Sequence, residues 1–203
     1  LQKVSELTEL GQPLALRTRR PGALARVSRL LIVDIDNTLV GDLEGTRRLV
    51  EIVEAQDDLA FGIATGRQID SAREILEANE VPQPDLMITA VGAEIFYGPR
   101  RTEDSFWPRH LDEHWEPDRI RELLADQPGL EPQRKTEQRR HKLSYELDPT
   151  QGTKLPALRR ILRQEGIRAK VIFSHGKYLD VLPIRASKGK AVRWVATRWG
   201  IPV

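Results

Sequence analysis

The chain has no cysteine among its 203 residues. Disulfides, thiol nucleophiles and thiolate metal sites are therefore excluded, and the absence fits a reducing compartment such as the cytoplasm. No apolar run approaches the roughly 20 residues that a membrane-spanning helix requires. The first residues are polar and of mixed charge, unlike a secretory signal. Charge of neither sign dominates, since 32 Lys and Arg stand against 30 Asp and Glu. That balance argues against a dedicated nucleic-acid binder. Repeats and low-complexity runs are absent. What remains is 39% hydrophobic and 31% charged, an ordinary composition for one globular domain or a core with an insertion.

Residues 1–28 read as a linker or tail. Gln2 to Leu10 suits one helical stretch, and Gly11, Pro13, Pro21 and Gly22 then punctuate the chain. Arg17, Arg19, Arg20, Arg26 and Arg29 make it basic, but no aromatic side chains are interleaved for stacking on bases. Position 1 is Leu rather than Met, which reads as an excerpt or a processed product.

The centre of the sequence is the stretch Leu30 to Val40, an apolar run ending in Asp34-Ile35-Asp36-Asn37-Thr38. The run is short and β-branched, as in a buried parallel strand. Turn residues at Gly41-Asp42-Leu43 and a helix over Glu44 to Asp57 follow. A second apolar run, Leu59 to Ala64, ends in Thr65-Gly66-Arg67. A helix over Gln68 to Asn79 and a third strand over Asp85 to Val91 complete a β-α-β-α-β order. This order predicts a doubly wound α/β core built on a parallel sheet.

After Val91 the pattern changes. Ala93 to Tyr97 reads as a strand, Gly98-Pro99 as a turn, and Ile120 to Leu124 as a short helix. Leu143, Tyr145 and Leu147 alternate with Lys142, Ser144 and Glu146, as in a half-exposed antiparallel strand. Leu155 to Leu162 marks a helix, and Val171 to Leu182 a hairpin around Ser174-His175-Gly176-Lys177. Residues 92–183 are therefore expected to form an inserted α+β cap, with 29–91 and 184–203 as core. The last helix starts at a Ser187 N-cap and stops at Gly200.

Three elements carry chemistry. Asp34 and Asp36 at a strand end repel each other unless a cation or proton lies between them. One suits a nucleophile, and the other an acid that protonates a leaving oxygen and later deprotonates water. Thr38 is placed to fix the turn by a hydroxyl-to-backbone bond. Thr65, Gly66 and Arg67 offer a hydroxyl and free N–H groups at a helix start, a phosphate-binding arrangement. Lys188 opens a helix, where a cation is unfavourable unless it faces a phosphate or a carboxylate. Set against these, an isolated D-x-D pair is more often a charged turn, and a single lysine is commonly just solvated. The spacing of His110, His114, His141 and His175 gives no metal site.

Asp34-Ile-Asp36-Asn-Thr38, Thr65-Gly66-Arg67 and Lys188-Gly189 together resemble the haloacid dehalogenase superfamily of phosphatases, in the branch with a large α/β cap. Ala90-Val91-Gly92-Ala93-Glu94-Ile95, Thr136-Glu137-Gln138-Arg139-Arg140-His141-Lys142 and Asp180-Val181-Leu182-Pro183 are similar to stretches of the sucrose-phosphatase family within it. The resemblance covers roughly Arg29 to Val203. It implies hydrolysis of a sugar phosphate, sucrose 6-phosphate or another disaccharide phosphate. Asp34 would be the nucleophile, Asp36 the acid and then base, and Thr65 and Lys188 the phosphoryl-binding groups. Mg2+ would sit on Asp34 and the Asp36 carbonyl. Glu137, Gln138, His141 and Lys142 become candidates for sugar recognition. The same module follows a glycosyltransferase domain in sucrose-phosphate synthases, which implies such a domain upstream as a partner and allows a non-catalytic, regulatory reading. The family's fourth motif, an acidic G-D-x-x-N-D stretch, is absent. The resemblance thus implies further core strands past Val203, and a chain that by itself binds Mg2+ weakly and turns over slowly.

Overall fold

The computed structural model describes residues 27–151 and 153–202. The helical stretch expected at Gln2 to Leu10, and nearly all of the tail, lie outside these residues. The last two tail residues are already part of the fold. Val27 is buried with Ala60, Ala196 and Ile201, and Ser28 binds Asp58 through its backbone N (3.0 Å) and its hydroxyl (2.7 Å).

The first sheet holds β1 (Arg29–Val33), β2 (Leu59–Ala64), β3 (Leu86–Thr89), β4 (Glu94–Tyr97) and β5 (Thr102–Glu103), in that spatial order. The first three strands run parallel, and β4 and β5 are antiparallel. Helices α1 (Leu43–Glu54) and α2 (Ile69–Ala78) are the crossovers, and α3 (Trp107–Asp112) follows β5. Strand alternation divides the core. Phe61 and Ile63 pack with Val53, Ala72 and Leu76 on one face. Leu86 and Ile88 pack with Trp107, Leu111, Ala191 and Val195 on the other. Because both faces are covered, β2 and β3 read as continuous apolar runs.

The expected boundary at residue 92 is corrected by the pairing. β4 pairs with β3 from Leu86↔Tyr97 to Thr89↔Glu94, so residues 94–103 finish the first sheet. The pattern changes at Val91 because the next strand returns antiparallel, without leaving the sheet. The third strand is also shorter than expected. Its last expected residues, Ala90 and Val91, form a turn with φ of 49° and 61°.

The second sheet contains β6 (Leu130–Pro132), β7 (Leu143–Leu147), β8 (Ala169–Ser174) and β9 (Tyr178–Pro183), antiparallel in the order β6-β7-β9-β8. Helices α4 (Pro117–Leu124) and α5 (Leu155–Gln164) cover one face through Ile120, Leu124, Leu158 and Leu162. β7 was expected to be half exposed, but of its two outward polar residues only Glu146 is partly exposed. Ser144 is fully buried, and Gln138 covers it, accepting from its N (3.0 Å) and donating to its O (2.8 Å). Helix α6 (Lys188–Trp199) returns to the first sheet. Its Ser187 cap accepts from Lys190 N at 3.1 Å, and Gly200 ends it at φ 67°. Among the described residues no helix is long and apolar enough to cross a membrane.

Candidate active site

The parallel strands converge at their C-terminal ends, and the chemistry gathers there. β1 ends at Val33. The Asp34 carboxylate then accepts from Ile35 N at 2.9 Å, and the chain turns through residues 35–39. Buried Ile35 and Leu39 anchor this turn from below, and Val40 N closes it on Ile35 O at 3.2 Å. Asn37 supplies the left-handed residue at φ 56°. The apolar anchors leave Asp34 and Asp36 on the open side, each about two-fifths exposed. The Thr38 hydroxyl reaches the Asp36 carbonyl at 3.5 Å, the long limit of a hydrogen bond.

Lys188 comes from 154 residues away, and its Nζ donates to Asp34 Oδ2 at 2.6 Å. This contact answers the unfavourable placement of a cation at the start of α6. Arg67 differs from its expected role. Its guanidinium is held by Asp36, with Nη2 at 2.7 Å and Nε at 3.1 Å from the carboxylate, and by the Ser71 hydroxyl at 3.2 Å. Its backbone N donates to Thr65 Oγ1 at 3.2 Å. The hydrogen bonds that Arg67 donates to the Asp36 carboxylate raise its pKa, outweighing the opposite pull of burial. Thr65 is fully buried. Its hydroxyl oxygen accepts from Arg67 N, which leaves the O–H as a donor.

The turn Ala90–Gly92 supports this loop. Ala90 N donates to Arg67 O at 2.8 Å and Val91 N to Thr65 O at 3.1 Å. Three consecutive residues there have positive φ (49°, 61° and 92°). A β-branched residue such as Val91 is strained in that region, and the double anchorage holds it in place.

A crevice of about 890 Å³ separates the two sheets. Asp34, Asp36, Gly66, Arg67 and Lys188 line one wall, and Glu137 and Lys142 line the other. The other two sugar-recognition candidates are elsewhere. Gln138 is spent on Ser144 and on Gln133 O (3.1 Å). His141 is buried and bound to Asp112 at 2.8 Å. Burial drives the His141 pKa below its ordinary value, and Asp112 only partly offsets this. Both side chains face the packing under the loop rather than the crevice. Sequence reading missed Arg134, His175, Tyr178 and Asp180, which also line it. Asp180 had a usable signal: a carboxylate inside the apolar strand Tyr178 to Pro183. It accepts from Ser144 Oγ at 2.7 Å and lies 3.4 Å from Lys142 Nζ.

The oxygen donors here suit a hard cation in a minimal form. Among the described residues no group of three or more His, Asp or Glu converges. Mg2+ commonly takes one or two protein carboxylates and fills the rest of its shell with water and substrate phosphate. The Asp34 carboxylate, at present bonded to Lys188, and the Asp36 carbonyl are the oxygens that could serve such a cation.

A family model described as sucrose-6F-phosphate phosphohydrolase matches residues 27–203. The chain belongs to this family. Sucrose-phosphatase 1 of Nicotiana tabacum is 32% identical over 180 residues, covering 85% of this chain. The chain spans only 42% of that relative's length. Mannosylfructose-phosphate phosphatase of Agrobacterium fabrum is 31% identical over 170 residues, which is 82% of this chain and 68% of the relative. The sucrose-phosphatase from Synechocystis sp., solved with sucrose and phosphate, superposes with a TM-score of 0.78 at 36% identity, covering 87% of this chain and 72% of that one. Haloacid dehalogenase-like hydrolases share the fold.

Proposed function

We propose that the chain hydrolyses a sugar phosphate, sucrose 6-phosphate first, through an aspartyl-phosphate. The observation that carries this reading is the meeting of Asp34, Asp36 and Lys188 at one pole of the sheet, facing Glu137 and Lys142 across the crevice, with the buried Thr65 bonded to Arg67 N. Asp34 Oδ forms a bond to phosphorus as the bond to the sugar oxygen breaks. Asp36 gives its proton to the departing oxygen, so the alcohol leaves neutral. Asp36 then takes a proton from water, which attacks the phosphorus and frees Asp34. Thr65 O–H, the Gly66 N–H and Lys188 hold the phosphoryl oxygens, while the Arg67 N–H fixes the Thr65 hydroxyl. Mg2+, held by Asp34 and the Asp36 carbonyl, would neutralise phosphoryl charge. Glu137 and Lys142, on the second sheet and its loop, recognise the sugar, so this part of the chain acts as a cap.

A second reading is favoured by the pairing of both carboxylates with cations and by the absence, among the described residues, of a group of three acids placed to hold a metal. On it, the chain is a phosphatase-like module that binds sugar phosphate and regulates a glycosyltransferase domain in the same polypeptide. One experiment separates the two: phosphate release from sucrose 6-phosphate, mannosylfructose phosphate and simple esters, with Mg2+, for the parent and Asp34→Asn. Enzyme chemistry predicts release that the variant abolishes. Sugar-phosphate binding without release supports the module, and equal release by the variant removes Asp34 as nucleophile.

A further inference from the structure

Arg139 and Glu94 lie in two of the stretches that resemble the family, yet neither has a part in the site described above. The structure joins them. Arg139 Nε is 3.2 Å from Glu94 Oε1, and the two side chains are only 21% and 16% exposed. The other Glu94 oxygen accepts from Thr89 Oγ1 at 2.7 Å, which fixes the carboxylate on the β3–β4 pair. Arg139 Nη2 donates to Gln68 Oε1. Gln68 directly follows Arg67 and stands at the N-cap position of α2, with no side-chain cap bond. Arg139 Nη1 donates to the carbonyls of Thr136 (2.8 Å) and Gln138 (2.7 Å), which shape the loop carrying Glu137.

One guanidinium therefore touches both walls of the crevice. Its Nε and Nη2 reach the side that carries Thr65, Gly66 and Arg67. Its Nη1 holds the loop that presents Glu137 and Lys142. The same loop has a second anchor, where Arg140 and His141 meet Asp112 at 2.7 and 2.8 Å at the end of α3. A buried ion pair is weak evidence of stability, since desolvation opposes it. Its use is geometric. A planar fork with donors in several fixed directions sets a distance that a lysine cannot reproduce.

We propose that Arg139 is a positioning residue that sets the spacing between the phosphate wall and the sugar wall. This rests on the phosphatase reading, and it makes the site selective for esters long enough to engage both walls. A small phosphate ester needs only the first wall and is less sensitive to the spacing.

The test compares the parent chain with Arg139→Gln, Arg139→Lys and Glu94→Gln. KM and kcat are measured for sucrose 6-phosphate and for p-nitrophenyl phosphate. Misplacement of a binding wall by about 1 Å is expected to lower kcat/KM for the disaccharide ester about tenfold more than for the small ester, mainly through KM. The lysine variant should fall between parent and glutamine. Parallel losses on the two substrates would overturn the proposal, because damage to the fold alone has no reason to discriminate. A second readout does not need turnover. The chain lacks cysteine, so spin labels at Thr136→Cys and Glu74→Cys report the distance between the loop and α2. Arg139→Gln should broaden or lengthen a narrow parental distribution, and an unchanged distribution refutes the spacing role. If the parent releases phosphate from no ester, the enzyme reading fails, and the label distances alone decide the role of Arg139.

Discussion

Replacing Gly92 by alanine strikes the point where the strained turn meets the helix that carries Lys188. Gly92 has φ +92°, and a Cβ built on it would lie 2.2 Å from the Ser187 carbonyl carbon and 2.5 Å from Lys188 N and Ser187 O. These are backbone atoms, so no side chain can rotate away. Ordinary contact begins near 3.4 Å, and the turn and α6 must therefore separate by about 1 Å or more. The positive φ costs about 1–2 kcal/mol, and overpacking adds about 1–3 kcal/mol. The expected loss is about 2–5 kcal/mol, a fall of roughly 4–20 °C in Tm at this chain length. Two controls divide the effect. Gly166 also has a positive φ of 73° but open space around it, so Gly166→Ala should cost only about 1–2 kcal/mol. A Cβ on Gly66 would meet only Val91 Cγ2, at 3.9 Å, so Gly66→Ala should leave stability within about 0.5 kcal/mol. Urea unfolding followed by tryptophan fluorescence reads all three. If Gly92→Ala loses no more than Gly166→Ala, the close approach of the turn to α6 is wrong.

Three further outcomes follow from the same contacts. Asp104 is buried and accepts from the Tyr97 hydroxyl (2.6 Å), Trp107 N (2.7 Å) and Phe106 N (2.8 Å). Burial pushes its pKa up, but these hydrogen bonds win and hold it below the carboxylate value of 3.8. Its stabilisation is therefore complete above about pH 4 and lost as pH falls through the lowered folded value. Asp104→Asn should cost about 2–4 kcal/mol at pH 7 and flatten the acid limb of stability, measured by Tm from pH 7 to pH 2. Lys188→Met should cut phosphate release by about 100-fold or more with the fold intact by circular dichroism, since it removes the cation facing the phosphoryl site; a change below twofold excludes that role. Ser187→Ala should cost about 1 kcal/mol through the lost cap on α6, read by urea unfolding, and no measurable change would count against the cap.

The elements nearest the site were legible because their signals are local. An apolar run ending in Asp34 and Asp36, and another ending in Thr65-Gly66-Arg67, announce strand ends with polar loops. Ser187 and Lys188 announce a capped helix whose first cation needs a partner. The cap residues were less legible. Glu137, Gln138, His141 and Lys142 sit within six positions of one another, and side-chain type alone does not say which face the crevice. Gln138 turns to the β7 backbone and His141 to Asp112, because the loop's own hydrogen bonds consume them. The change of pattern after Val91 was visible, but its cause was not. An antiparallel return within one sheet and the start of a new module leave the same mark in a sequence.

The stretch from Leu30 to Val40 by itself determined where two carboxylates fall relative to a buried strand, since strand burial and turn chemistry depend on neighbours along the chain. The tertiary structure alone decided what those carboxylates meet. Lys188 reaches Asp34 across 154 positions, Arg67 takes Asp36, and Arg139 spans to Glu94 and Gln68. Such contacts depend on how helices and sheets pack together. Packing is set by the summed burial of many side chains, and no local pattern records it.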